Sequence, residues 1–463
     1  MKRSASMRRF VLLSCLLCVF LLQVRAQEPE YFKKNIKELS SEKYGGRGYY
    51  KDNDGKAAQY IADELAKWGA VPVSEFSGKK AAEEAGVSGW FQEITFPIND
   101  MNGKMDFSID GKKMRPGYEY VIGSYSGAGK GTYPVCYLDL KGLDMNKILE
   151  LLKEKGENKV VVMDMNLQYQ MILPALVSRK LNLGGIIIRN SREVMKEMMV
   201  VSGMGEQSTW EVSPLMMNKM YMDFLQLPYP EFVVEKGTFP DGVKEVSFDI
   251  ERKLNKEEKS ANVIAVIPGA VNPDSIFVCT AHYDHLGMFG KRVFYPGAND
   301  NASGTAMLLS LARYYGDPAN KPANTLVFVA TTGEEMGLLG SRKFVDSPPF
   351  DLKKIKYVLN FDMVADHTDT LTTYSDNCGL RGYALMKRIN EKEELFKEIT
   401  YARYQQNSDH YPFLRKKIPA ICFILEKGEN FSRLHTPEDD IHHISYSAFP
   451  KLFTLVTGFI KQY

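Results

Sequence analysis

Apolar positions fall into two textures along this chain. From Val246 onward, short apolar runs alternate with segments of helical period. The strand candidates are "NVIAVIPG" (262–269), "SIFVCTAHYD" (275–284), "NTLVFVATTGEE" (324–335), "KYVLNFDMV" (356–364) and "PAICFIL" (419–425). Helical patterns cover Ser303 to Tyr315, Leu380 to Leu395 and Tyr446 to Ile460. Strands alternating with helices predict an α/β fold, a mixed and mostly parallel sheet sandwiched by helices. Upstream, "KAAQYIADELAKW" (56–68) places Ile61, Leu65 and Trp68 on one helical face, and "WFQEITF" (90–96) reads as a strand. Between about 117 and 237 the runs "NKVVVMD" (158–164) and "GGIIIRN" (184–190) predict a smaller β-rich domain inserted into the first. Met195 to Met222 in this stretch holds eight methionines, read as packing within the insert or as an adaptable binding face. The predicted division is 27–116 and 238–463 for the main domain, with 117–237 inserted.

Residues 1–26 stand apart. Lys2, Arg3, Arg8 and Arg9 precede the apolar stretch Phe10 to Val24, and Val24-Arg25-Ala26 offers small residues for cleavage. The apolar stretch is 15 residues, short of the ~20 that span a bilayer. The segment reads as a secretory signal peptide, so the expected destination is secreted or periplasmic, with no stable membrane span after cleavage. Cleavage takes the basic residues from 59 to 54 against 57 acidic ones, and the balance from +2 to −3. No Lys/Arg block marks a nucleic-acid surface. Composition is ordinary for a globular chain, 44% hydrophobic and 25% charged over 463 residues, enough for a large core. Cys136, Cys279, Cys378 and Cys422 are too widely spaced for a zinc ribbon or a small disulfide scaffold, although Cys378 and Cys422 could pair.

Ligands of open α/β sheets bind beyond the carboxyl ends of the strands. Here His282 and Asp284, Glu334 and Glu335, and Asp362 each end a different apolar run. Residues i and i+2 of a strand share a face, so Asp284 is expected to hydrogen-bond the ring nitrogen of His282 turned away from a metal. His285 falls on the opposite face and is read as structural. Asp300 sits in the small-residue turn "GANDNASG" (297–304), and His435 in the polar loop "SRLHTPEDD" (432–440). Imidazole plus carboxylate suits zinc, with manganese or cobalt possible. Two Zn2+ per chain are expected, roughly 3.5–4 Å apart. His282 and Asp362 serve one, Glu335 and His435 the other, and Asp300 bridges them. Glu334 stays free as the base that takes a proton from water. In "QNSDHYPF" (406–413), Asp409 is read as a helix cap or a substrate-amine ligand, and Tyr411 as packing or a pocket wall.

In this order and approximate spacing, "AHYDHLG", "GANDNASG", "TTGEEMGLLGS", "LNFDMV" and "HTPEDD" resemble the co-catalytic di-zinc aminopeptidases of metallopeptidase clan MH. That group also includes glutamate carboxypeptidase and glutaminyl cyclase. "GGRGYY" (45–50) looks like the family's amino-terminal segment, and the insert resembles a protease-associated domain. One departure is Ala365, where a glycine commonly follows "DMV". The resemblance implies the same ligands and base, peptide substrates, and release of amino-terminal residues. Carboxypeptidase action on acidic dipeptides, glutamine cyclisation and a non-catalytic binding protein on the same scaffold are the alternatives. The complete ligand set argues against the last two.

Overall fold

The computed structural model describes residues 28–463 apart from 124, 166–175, 177–180, 192–226, 404–405 and 427–428. The basic-apolar leader and the Met195 to Met222 stretch lie outside the described residues. Among the described residues, no helix is long and apolar enough to cross a membrane.

The main sheet is built on eight strands: β1 (Phe91–Asp100), β2 (Lys253–Ile267), β3 (Asn272–His282), β4 (Asn324–Thr331), β5 (Ile355–Phe361), β6 (Thr370–Ser375), β7 (Glu398–Arg403) and β8 (Ala420–Ile424). Their spatial order is β7-β6-β8-β5-β3-β4-β2-β1, with the short strands Val87–Ser88 and Val71–Pro72 added at the β1 and β2 side. The four central strands β8, β5, β3 and β4 run parallel. Their carboxyl ends therefore meet at one edge of the sheet, and every expected run of the carboxyl-terminal half supplies a strand.

Buried on both faces, these strands sort their side chains by the two-residue period. Phe277, Cys279 and Ala281 of β3 face one layer with Phe328 of β4 and Leu359 of β5. That layer holds the helix at 28–39, the helices Asn53–Lys67, Gly304–Gly316 and Leu380–Glu393, and the closing helix Phe449–Gln462. Ile276 and Val278, with Val327 and Val329, face the helices Leu339–Asp346 and His410–Arg415. Cys279 is thus a filler of the core. The helix Gly304–Gly316 starts hard against the end of β5: a Cβ on Gly304 would lie 2.2 Å from the Phe361 carbonyl oxygen. Only glycine allows that approach, and it brings the turn ahead of the helix over the neighbouring strand ends.

Among the described residues, a second sheet of eight strands has the order Lys112–Lys113, Met105–Ile109, Glu245–Ile250, Gly129–Tyr137, Val160–Asp164, Gly185–Asn190, Glu231–Glu235, Tyr120–Ile122. Its strands run from Met105 to Ile250, a wider span than the 117–237 change of texture. One face packs on Leu286, Phe289 and Tyr295 of the main domain. The four cysteines among the described residues are free thiols.

Candidate metal centre

The carboxyl edge of the parallel strands gathers the expected residues. β3 ends at His282, β4 ends three residues before Glu334, and Asp362 directly follows β5. The turn 298–303 adds Asp300, and the loop after β8 adds His435. His282 Nε2 lies 3.3 Å from Asp300 Oδ1 and 3.5 Å from Asp362 Oδ1. On the other side, His435 Nε2 lies 3.1 Å from Asp300 Oδ2 and 3.0 Å from Glu335 Oε2. Asp300 therefore presents one oxygen to each group. Glu334 stands slightly apart, its Oε2 4.0 Å from His282 Nε2 with 12% of the side chain exposed.

Long-range hydrogen bonds hold this edge in place. Arg47 is fully buried and donates to the backbone oxygens of Tyr283 (2.7 Å), Leu39 (2.9 Å), Pro296 (2.7 Å), Gly297 (2.8 Å) and Asp300 (3.2 Å). A guanidinium has five donors in a fixed fork, so one side chain ties β3's exit to the Asp300 turn. Asp439 accepts from the backbone N–H of Asn299 and Asp300, each at 2.9 Å. Asn301 donates to the Phe361 carbonyl at 2.8 Å and accepts from Gly304 N–H at 2.8 Å, which clips β5 to the following helix. Ser408 Oγ donates to Asp362 Oδ2 at 2.6 Å. These partners were not foreseen from sequence, because each lies in a polar loop far along the chain from the group it holds.

Three expectations are corrected by the geometry. The Asp284 carboxylate is 3.8 Å from His282 Nδ1, and it is the Asp284 backbone carbonyl that accepts from that nitrogen, at 3.1 Å. The carboxylate instead accepts from Tyr49 Oη at 2.8 Å and from the backbone N–H of Glu334 at 3.2 Å. His285 does not point away from the site: its Nδ1 is 2.8 Å from Glu335 Oε1 and 3.6 Å from Asp300 Oδ2. Both departures have one cause. β3 stops at His282, so strand alternation no longer governs residues 284 and 285. Asp409 precedes the helix His410–Arg415 but makes no side-chain cap; its two oxygens accept from Thr331 and Ser341 hydroxyls. Tyr411 is buried, its Oη accepting from Arg415 at 3.5 Å.

Carboxylates are concentrated here beside the buried guanidinium of Arg47, which donates to backbone oxygens. Among the described residues, the ion pairs of Asp300, Glu334, Glu335 and Asp362 are with histidines only. Burial raises the Asp300 carboxyl, but the imidazoles of His285, His282 and His435 outweigh it and hold it well below the usual range. Burial opposes ionisation of Glu335 as well, and His435 and His285 bring it down to about 2. Burial pushes Glu334 well up against the pull of His282, reinforced by the carboxylates of Glu335, Asp362 and Asp409. Burial, helped by the Glu335 carboxylate, takes Asp284 to about 6 despite His282. Buried carboxylates are costly unless paired or bound to a cation, and this mixed nitrogen and oxygen set is the kind that binds a divalent transition metal. The sets His282–Asp300–Asp362 and His285–Asp300–Glu335 each bring ligand atoms close enough to share one ion.

The open α/β sheet thus carries these donors at the carboxyl edge of its parallel strands. Residues 262–460 match the model of peptidase family M28. Aminopeptidase YwaD of Bacillus subtilis is 31% identical over 226 residues, 47% of this chain and 48% of that protein. A probable leucine aminopeptidase of Trichophyton verrucosum is 30% identical over 243 residues, 50% of this chain and 62% of that one. The chain thus spans about half the length of the curated relatives it matches. Among solved structures, a zinc aminopeptidase from Bacillus subtilis superposes with a TM-score of 0.64 at 21% identity, covering 93% of this chain and 94% of its own. A peptidase M28 precursor from Shewanella amazonensis gives 0.66 at 15% identity, with 95% of each chain covered. At these identities the superpositions establish the fold, α/β with mixed sheets and helices.

Proposed function

We propose that this chain is an exported zinc-dependent exopeptidase that releases amino-terminal residues from peptides. The observation that carries the reading is the split of the cluster. Asp300 offers one oxygen to the His282–Asp362 side and the other to the Glu335–His435 side, while Glu334 lies farther off, its Oε2 4.0 Å from His282 Nε2. On this reading two zinc ions share Asp300, and manganese or cobalt would suit the same donors. Zinc, when bound, supplies Lewis acidity to the scissile carbonyl and to the attacking water.

The remaining work falls to the chain's own groups. Glu334 Oε2 takes the water's proton and passes it to the leaving amine nitrogen, and its raised pKa is the direction that suits a group cycling a proton near neutrality. Asp284 fixes the backbone at Glu334 and at Glu335, whose N–H groups face its two oxygens at 3.2 and 3.4 Å. Tyr49 in turn orients Asp284. Glutamine cyclisation needs only part of this donor set, and a non-catalytic scaffold would not need Glu334 at all. Action on acidic dipeptides would need a basic pocket, and the sequence shows no arginine cluster in the insert. We read the second sheet as a protease-associated-like insert, and residues 1–26 as the signal for secretion or periplasmic delivery.

Paired peptides test the substrate class: each sequence is offered once with a free amino terminus and once acetylated. The free forms should be shortened one residue at a time and the acetylated forms left intact. Equal cleavage of both would defeat the aminopeptidase reading.

A further inference from the structure

The two carboxylate ligands proposed for separate metals, Asp362 and Glu335, share a feature that the ligand set does not require. Each has one oxygen turned toward a histidine of the cluster and the other engaged by a residue outside the proposed ligand set. Asp362 Oδ1 faces His282 at 3.5 Å, while Oδ2 accepts from Ser408 Oγ at 2.6 Å. Glu335 Oε2 faces His435 at 3.0 Å, while Oε1 is 2.8 Å from His285 Nδ1.

His285 is fully buried, and its Nε2 has no hydrogen-bond partner among the described residues. The ring's hydrogen bond is therefore the one from Nδ1. The backbone of Gly297 passes close beside the ring, where any side chain would collide with it: a Cβ there would lie 2.5 Å from His285 Cδ2. An Nδ1–Oε1 separation of 2.8 Å is a hydrogen-bond length.

We infer that His285 is a positioning residue for the second metal: its Nδ1–H donates to Glu335 Oε1 and reserves Oε2 for the ion shared with His435 and Asp300. It does for Glu335 what Ser408 does for Asp362. The inference rests on the two-metal reading above, yet concerns metal affinity rather than turnover. Removing a hydrogen-bond donor behind a ligand costs about 10–100-fold in metal affinity.

The test is zinc titration of the full chain by competition with a chromophoric chelator, with no substrate present. His285→Ala and His285→Leu, the latter filling the ring's space without a donor, should still take two zinc ions at saturation. One of the two should bind about 10–100-fold more weakly. His285→Asn, whose amide nitrogen stands where Nδ1 did, should recover most of that loss. Cobalt-loaded His285→Ala should keep the wild-type visible spectrum at saturation, because no ligand has been removed. Unchanged affinity at both sites in Ala and Leu would make the ring mere packing and overturn the proposal. A chain that saturates with one ion and is not rescued by Asn would make His285 a ligand, which also overturns it. A wild-type chain binding no zinc would instead bring down the underlying two-metal reading, a result visible before any variant is made.

Discussion

Glu334→Gln should lower kcat by about 10²–10⁴-fold, the range a positioned general base contributes, while the chain keeps its full complement of zinc. The amide matches the carboxyl in shape but cannot take a proton. Glu334 lies 4.0 Å from the nearest ligand nitrogen, against 3.0–3.5 Å within the proposed ligand set, so its loss should not empty either metal position. Zinc content by plasma spectrometry beside kcat and KM from a chromogenic aminoacyl substrate checks both halves. Loss of zinc in step with activity would show that Glu334 is a metal ligand rather than the base.

Asp300→Ala should be more severe, because it strikes both halves of the cluster together. Asp300 Oδ1 faces His282 and Oδ2 faces His435, and the carboxylate is buried among them. Both zinc affinities should fall by more than the about 100-fold that losing an outer hydrogen bond costs, and hydrolysis should drop below that of Glu334→Gln. Retention of one site at wild-type affinity would mean that the carboxylate is not shared. The backbone of this turn is held independently by Arg47, Asp439 and Asn301, so the alanine chain has the contacts it needs to fold.

The two variants separate holding metal from moving protons, a distinction the sequence carries because an acidic residue ending a long apolar run has few structural uses. His282, Glu335 and Asp362 were legible for that reason: β3, β4 and β5 are buried toward their carboxyl ends, and each apolar run stops at or just before one of these ionisable side chains. β6 and β7 were not anticipated. Their sequences "TLTTYS" and "EITYAR" mix threonine, tyrosine and charge and lack an apolar run. The second sheet reaches Met105 and Ile250, beyond 117–237: "MDFSI" and "EVSFDI" are short strands buried on alternate residues and lack the continuous apolar run by which the insert's strands were read.

The misplaced side chains share a different cause. His285 and the Asp284 carboxylate were assigned by strand alternation, a rule that ends with the strand at His282. Asp409 looked like a cap because it precedes a short helix, yet two hydroxyls from β4 and the helix Leu339–Asp346 reach it across about 70 residues of chain or more. Arg47, Tyr49, Ser408 and Asp439 stayed silent for the same reason. Their partners are backbone groups and carboxylates that only the folded sheet edge brings near. Sequence thus identified the groups that end strands, whereas the groups that orient them required the tertiary contacts.

Zinc content and peptide hydrolysis measured on the same sample, as chelator is added and zinc then returned, test the central claim most directly. The account predicts two zinc ions per chain in the active state. Cleavage of a peptide with a free amino terminus should fall as they leave and recover when zinc is restored. Cleavage that persists at full rate in the metal-stripped chain would contradict it.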